Sequence, residues 1–310
     1  MYTGKRVAVV IPAYNEQDLI SDTLRSIPDY VDDVIFVDDF SHDGTVAAAQ
    51  NQKVRSLTLI THDSNRGVGA AIVSGYKKAI ELGCELVVVM AGDNQMDPKY
   101  LPALLDPLVC AKADYTKGNR LMNNRIRAGM PALRLFGNSI LSLLTKVCSG
   151  YWDIMDPQNG YTAATKEVLE TIPLDDLYPR YGYPNDMLIK LNTYGFRVAD
   201  VVMPSRYGSE KSKIKIPTYI PTVASILIRG FFFRMREKYV MQALHPLIFF
   251  YLMGFVLLPL GILLGVYMLY LRIHTGGITA SSTLLPIFFT ITGFQSLFFG
   301  MLFDMQSTKK

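Results

Sequence analysis

Residues 6–16 read RVAVVIPAYNE. The RVAVVI portion is a short β-branched run that stops at Pro12, which is the pattern of a strand buried on both faces. Polar residues follow at once, with Asn15 and Glu16. Working outward, residues 16–27 carry Leu19, Ile20, Thr23, Leu24 and Ile27 at helical spacing. DDVIFVDD at 32–39 reads as a second strand, and SHDGT at 41–45 as a turn that starts a helix. LTLIT at 57–61 is a third strand, NRGVGAAIVSGYKKAI at 65–80 a glycine-rich entry to a helix, and ELVVVMAGD at 85–93 a fourth strand. Strand alternates with helix, and the strands are continuously apolar. This indicates an α/β fold with a mostly parallel sheet covered on both faces. Ligands bind such sheets at the carboxyl ends of the strands. The candidate site residues are therefore those just beyond each strand: Asn15 and Glu16, Asp38 and Asp39, Asp93 and Gln95.

The C-terminal third has a different character. No charged residue occurs from position 246 to 271, nor from 276 to 303, and each run exceeds the roughly 20 apolar residues that cross a bilayer. Two such runs, joined by the short stretch 272–275, read as a transmembrane helical hairpin at about 246–271 and 280–303, within a membrane part spanning 241–310. The other reading is a pair of buried core helices. Residues 216–240 are aromatic, apolar and basic, with Pro217 and Pro221 breaking the start, and suit an amphipathic segment lying in the membrane interface. Arg229, Arg234, Arg236 and Lys238 precede the first span and Lys309 and Lys310 follow the second, whereas only Arg272 and His274 lie between them. The positive-inside rule places both termini and the front domain, 1–215, on the cytoplasmic side of an integral membrane protein. No N-terminal apolar stretch resembles a signal peptide.

Among 310 residues, 31 Lys and Arg against 27 Asp and Glu leave a net charge of +4. That mild excess makes no case for nucleic acid and fits contact with anionic headgroups. Cys84, Cys110 and Cys148 lack metal-ligand spacing and read as free thiols.

Asp38 and Asp39 are adjacent acids, which repel and so require a ligand, a cation or donor groups nearby. Asp93 with Gln95 offers oxygen ligands suited to a hard divalent cation, or Asp93 merely caps the segment before Pro98. The stretch from Asn65 to Ala71 could hold a diphosphate at a helix N-terminus, or its glycines, Gly67 among them, serve tight helix–sheet packing. It has neither the full dinucleotide fingerprint nor a P-loop lysine. Asp43 and Asp97 read as helix caps, and Asp156 and Asp186 as caps or turn formers.

Taken in order, VVIPAYNE (9–16), VDDFSHDGT (37–45), NRGVGAA (65–71) and AGDNQMDP (91–98) resemble the family 2 glycosyltransferases. The chain is similar in particular to the polyprenyl-phosphate sugar transferases of the dolichyl-phosphate mannose or glucose synthase type. KGNR (117–120), MDPQNGYTA (155–163), YGYPNDMLIKL (181–191) and RYGSEKSKI (206–214) continue the likeness, which covers nearly all of residues 5–215. It implies a GT-A type, Rossmann-like mostly parallel sheet. It also implies inverting transfer of a hexose from a UDP-glucose or GDP-mannose type donor to a polyprenyl or dolichyl phosphate, with Mg²⁺ or Mn²⁺ as cofactor.

By the same resemblance, Pro12, Tyr14 and Glu16 hold the base and ribose, and Asp39 contacts the base beside Asp38. Asp93 and Gln95 are the metal ligands, and Arg120 meets the lipid phosphate, the other reading of Arg120 and Arg134 being plain surface charges. Arg134 and Ser139 form a second anchoring pair. Asp156, with Gln158 and Asn159, contacts sugar hydroxyls; Asp186 and Gly67 line the substrate region. Lys211 and Lys213 belong to a loop that closes over the phosphates, or else touch headgroups. The sequence departs from the pattern at Ala91, where many relatives carry another Asp. The implied partners are the donor, the lipid acceptor and membrane lipids, and association of the chain with itself stays open. Two other readings are a transferase extending a lipid-linked glycan or polysaccharide, and a non-catalytic scaffold on the same fold.

Overall fold

A computed structural model of the protein describes residues 1–120, 132–204, 216–242, 244–277 and 279–308. The chain divides into two compact units, Met1–Phe231 and Phe232–Lys310.

The first unit is built on a seven-stranded sheet: β1 (Val7–Ala13), β2 (Asp33–Asp38), β3 (Leu57–Thr61), β4 (Leu86–Val89), β5 (Tyr115–Asn119), β6 (Thr162–Thr165) and β7 (Val198–Val202). Their spatial order is β3-β2-β1-β4-β6-β5-β7. The first four strands are mutually parallel, β6 runs antiparallel to both β4 and β5, and β7 is parallel to β5. Helices α1 (Ile20–Arg25), α2 (Thr45–Gln50), α3 (Val68–Glu81), α4 (Leu101–Val109), α5 (Ala132–Ser149), α6 (Lys166–Thr171) and α7 (Tyr183–Thr193) complete the α/β unit.

The continuous apolar strands are explained by two cores, one per face. Along β1, Ala8 and Val10 join a cluster with Tyr76, Val87 and Leu188, while Val7, Val9 and Ile11 join another with Leu24, Phe36 and Leu104. Alternate side chains point to opposite faces, so both sets must be apolar. On the first face α3 lies close to β1. A Cβ on Gly75 would come within 2.2 Å of Val10 Cγ1, so only glycine permits that approach.

Three features differ from the sequence expectation. The first helix is shorter than 16–27, because its opening residues form turns before Ile20. Pro217 and Pro221 do not break the next segment, since helix α8 runs over Ile216–Arg236 with both inside it. Pro217 costs little because the first four N–H groups of a helix lack an intrahelical partner, whereas Pro221 gives up one helical bond and is carried within the helix. Third, residues 272–275 are not the connector. They form the last turn of α9 (Leu247–Thr275), which Gly276 ends at φ 73°, and α10 (Ala280–Thr308) follows.

In the second unit α9 and α10 pack as an antiparallel hairpin, and both are long and apolar enough to cross a membrane. Small residues bring the backbones together: a Cβ on Gly261 would lie 2.5 Å from Thr290 Oγ1, and one on Gly293 2.6 Å from the Leu258 nitrogen. Arg234, counted above among the basic flank, is instead fully buried, with its guanidinium forked onto Asp304 at 2.7 and 2.8 Å. Tyr239 also donates to Asp304, at 2.6 Å. A charge at the end of an apolar helix is thus paired, as burial demands.

Candidate active site

In the first unit β1 is the point from which the sheet grows in both directions, through β2 to β3 and through β4 to the rest. The carboxyl ends around this switch point are where an α/β sheet binds ligands. Pro12 falls at the end of β1, where its lack of an N–H is tolerated, and its carbonyl accepts from Gly92 at 3.1 Å. That bond keeps residues 90–92 beside β1, so Asp93 emerges next to the loop carrying Tyr14 and Glu16. Each loop after β1, β2 and β4 contains a non-glycine residue in the left-handed region: Asn15 (φ 54°), Phe40 (φ 68°) and Asn94 (φ 55°). Asparagine tolerates this conformation; phenylalanine does not, and such strain gathers at functional sites.

The first two loops are laced together. Asn15 donates its N–H to Ser41 Oγ at 2.9 Å and accepts from the His42 N–H at 2.9 Å. Glu16 donates its N–H to Thr45 Oγ1 at 2.8 Å. Asp97 caps the turn that follows it by accepting the Lys99 N–H, whereas Asp43 stands one residue before the Gly44 cap of α2 and accepts the Thr45 and Gln17 N–H groups.

The adjacent acids at the end of β2 have separate tasks. Asp39 accepts from the Arg66 N–H at 2.9 Å, the Gly67 N–H at 2.7 Å and His62 Nδ1 at 2.8 Å. His62 in turn meets Ser74 Oγ at 2.9 Å. Asp39 therefore ties β2 to the entry of α3. Asp38 accepts from the Ser41 N–H at 3.0 Å, while its Oδ1 is buried without a partner among the described residues. Replacing Asp39 by Ala would leave two backbone donors and His62 without an acceptor. A loss of about 3 kcal/mol of stability is expected, checked by chemical denaturation.

At the glycine-rich entry to α3, the packing reading of Gly67 has a structural basis. Its N–H is given to Asp39, and the Ala70 N–H to the Pro179 carbonyl at 3.0 Å. A Cβ on Gly67 would stand 2.5 Å from Pro179 O, and one on Gly69 2.3 Å from Tyr178 O. The glycines let residues 178–180 lie directly over the helix start. Asp186 supports that same segment, accepting from the Tyr178 N–H at 2.9 Å and from Lys190 Nζ at 3.2 Å. It lies in the first turn of α7, whose N-cap is Gly182, and braces the preceding segment from there.

Beyond β4, Asp93 Oδ1 accepts the Gln95 N–H at 3.1 Å across Asn94. This tight turn presents a carboxylate and an amide oxygen from neighbouring positions. Among the described residues no group of three or more His, Cys, Asp and Glu converges on a metal site. The donor set fits a hard cation that takes most of its ligands from a diphosphate and water. At Ala91, the N–H points to Met96 Sδ at 3.2 Å.

At the end of β5, Arg120 and Asp156 meet. Arg120 donates Nε to Asp156 Oδ2 at 2.8 Å, Nη2 to Oδ1 at 3.3 Å and its own N–H to Oδ2 at 3.2 Å. Asp156 is buried, while the arginine side chain is 40% exposed. Such a fork fixes the guanidinium plane while leaving it accessible to solvent. Gln158 is held by Asn185 of α7, its Nε2 donating at 2.8 Å. Close by, Ile140, Leu143 and Leu144 of α5 and Met155 are exposed apolar side chains. Ser142 joins the helix to this turn by donating to the Met155 carbonyl at 3.3 Å. Ser139 is exposed on the same helix. Arg134 belongs to α5 with its side chain outside the described residues, as Lys211 and Lys213 are entirely.

Lys117, Asp200 and His62 escaped the sequence reading as site residues. Lys117 lay inside the KGNR motif and offered the one usable signal, a lysine beside an otherwise buried segment. His62 and Asp200 stand alone in sequence.

Comparison with known proteins gives a consistent picture. Residues 8–172 match glycosyl transferase family 2. The UDP-N-acetylglucosamine--dolichyl-phosphate N-acetylglucosaminyltransferase of Methanococcus voltae is 28% identical over 66% of this chain and 86% of its own length. The undecaprenyl-phosphate mannosyltransferase of Micrococcus luteus is 31% identical over 63% of this chain and 82% of its own. Among solved structures, glucosyl-3-phosphoglycerate synthase from Mycobacterium tuberculosis, in complex with Mn²⁺, UDP and glucosyl-3-phosphoglycerate, superposes with a TM-score of 0.59 at 21% identity. That match covers 73% of this chain and 80% of the other, and shows the shared GT-A fold.

Proposed function

The chain belongs to glycosyl transferase family 2, and on that premise we propose that it moves a hexose, with inversion, from a nucleotide diphosphate sugar to a polyprenyl phosphate at the cytosolic membrane face. The observation that carries this reading is the fixed, solvent-accessible Arg120 beside an exposed apolar helix face. One group suits a phosphate and the other a lipid. The two relatives described above are named for transfer to dolichyl and undecaprenyl phosphate.

The acceptor phosphate has a second pKa near ~6 and is already ionised at neutral pH. Its oxygen attacks the anomeric carbon as the bond to the nucleotide diphosphate breaks, and the electron pair leaves with the diphosphate. No protein base is required. The task of the protein is to bring two anionic groups together, which demands cations on both. Asp93 and Gln95 would hold Mg²⁺ or Mn²⁺, which when bound supplies charge neutralisation for the diphosphate. Arg120 holds the acceptor phosphate, with Arg134 and Ser139 as further anchors. Pro12, Tyr14, Glu16, Asp38 and Asp39 border the base and ribose. Asp156, Gln158 and Asn159 line the sugar, and Lys211 and Lys213 close over the phosphates.

Residues 1–215 would form the catalytic domain, 216–240 the interfacial segment and 241–310 the membrane hairpin. The hairpin keeps the site at the bilayer, raising the effective concentration of an acceptor that cannot leave it. Both termini would face the cytoplasm, by the basic residues Arg229, Arg236, Lys238, Lys309 and Lys310. The test offers the protein polyprenyl phosphate or a lipid-linked sugar as acceptor and reads the product anomer by NMR. Transfer to the phosphate with inverted configuration is expected. Transfer to the sugar acceptor alone, or retention, would overturn the reading.

A further inference from the structure

Lys117 is a lysine in the middle of a buried strand, only 1% exposed. Burying an ammonium is costly, and a linear apolar side chain there would cost less. On β5 the residue is paired with Thr162 of β6 and Asp200 of β7. Its Nζ donates to the Asn159 carbonyl. Asn159 ends the turn that begins at Asp156, closed by the Asn159 N–H donating to the Asp156 carbonyl at 3.3 Å. Asp156 then holds the fork of Arg120. An unbroken path of contacts thus runs from the buried ammonium to the exposed guanidinium.

The surroundings of the turn sharpen this path. The Asn159 side-chain nitrogen and Asp200 Oδ1 have no partner among the described residues. The other carboxylate oxygen of Asp200, Oδ2, accepts from Asn119 Nδ2 at 2.7 Å and from the Met155 N–H at 2.8 Å. The charged groups facing the ammonium are Asp156 from the turn, Asp200 from β7 and Arg120 from the end of β5. With both carboxylates ionised, the two cations balance them. An arriving phosphate adds close to two negative charges beside Asp156, and Arg120 is already matched to that carboxylate. The buried ammonium is the second cation within reach, acting where the dielectric is low.

We propose that Lys117 is a positioning residue for the phosphate acceptor, its ammonium fixing the turn over residues 156–159 and, through Asp156, the orientation of Arg120. The proposal rests on the reading that Arg120 meets a lipid phosphate. Burial pulls the Lys117 ammonium down to about 8, while Asp156 and Asp200 oppose the shift and Arg120 adds to it. The sign follows: as pH rises through that value the ammonium loses its proton, the turn loses a charge-assisted donor, and acceptor binding weakens. The acceptor phosphate is fully ionised well below that range and contributes no change of its own.

The experiment measures KM for polyprenyl phosphate and for the nucleotide sugar, in wild type and Lys117→Met, from neutral to alkaline pH. At neutral pH the variant is expected to raise the acceptor KM about tenfold, the scale of one charge-assisted contact, with the donor KM little changed. The wild-type acceptor KM climbs above pH 8 toward the variant's, and the variant's profile stays flat. Equal movement of both KM values, or movement of neither, overturns the proposal. Should the variant fail to fold, the wild-type profile decides: an alkaline rise confined to the acceptor supports the role, and its absence refutes it. Should wild type use no lipid phosphate, the functional reading fails by itself. A crystal structure of Lys117→Met then decides, a displaced turn and broken fork supporting the role and an intact fork refuting it.

Discussion

Asp93→Ala is expected to lower turnover by about a thousandfold or more, with the fold intact. The carboxylate is one of two protein ligands proposed for the cation that neutralises the leaving diphosphate. Ala91 supplies no second acid, so nothing adjacent replaces it. Loss of metal-assisted charge stabilisation removes several kcal/mol from the transition state, and about 4 kcal/mol corresponds to that factor. Asp93 is only partly buried and lies in a loop, so its removal creates no core cavity. The effect therefore belongs to kcat, and thermal denaturation should be unchanged. Calorimetry adds a readout independent of turnover: nucleotide diphosphate should bind more tightly with Mn²⁺ in wild type, and that difference should vanish in the variant. Persistence of the difference would remove Asp93 from the metal site.

Arg120→Ala is expected to raise the KM for lipid phosphate by roughly 30- to 100-fold, the size of a lost charge-assisted contact of about 2–3 kcal/mol. The donor KM should change far less. This variant has a complication visible in the geometry, because it leaves the buried Asp156 carboxylate without its fork. Removing one partner of a buried pair destabilises by about 3–5 kcal/mol, less here because the arginine is partly solvated. The double variant Arg120→Ala with Asp156→Asn separates the two effects. Stability should recover in the double variant and acceptor affinity should not. Recovery of both would mean that Arg120 acts only by holding the turn.

Much of the fold was legible because β1, β2 and β4 are buried along their whole length and so appear as apolar runs rich in β-branched residues, with the partly buried edge strand β3 still readable as LTLIT. The second half of the sheet was not. β5 reads YTKGN and β6 reads TAAT, and neither carries a strand period. Their state is set by tertiary pairing, with β6 inserted antiparallel between β4 and β5. The hairpin's length was readable from charge-free runs, but its exact ends were not, since Arg272 and His274 are compatible with a last helical turn.

The candidate site shows the same division. Strand-end position and motif located Asp38, Asp39, Asp93, Arg120 and Asp156. Sequence could not say that Asp39 would tie β2 to the entry of α3, because its partners Arg66 and Gly67 are brought to it by the β3 connection. Nor could it say that Arg120 and Asp156, 36 residues apart, would form one unit. The glycines at 67 and 69 illustrate the converse. Their spacing suited a phosphate cradle, and the structure shows a packing demand as well, since the carbonyls of residues 178 and 179 stand where a Cβ would go.

The most direct test of the central claim is the mass of the lipid product. The purified full-length protein is incubated with polyprenyl phosphate, Mg²⁺ or Mn²⁺, and in turn UDP-glucose, UDP-N-acetylglucosamine and GDP-mannose, and the lipid fraction is analysed by mass spectrometry. The account predicts a polyprenyl phosphate carrying one added sugar from one of these donors, with matching release of nucleotide diphosphate. An unmodified lipid phosphate alongside a glycosylated sugar acceptor, or no nucleotide release with any donor, would contradict it.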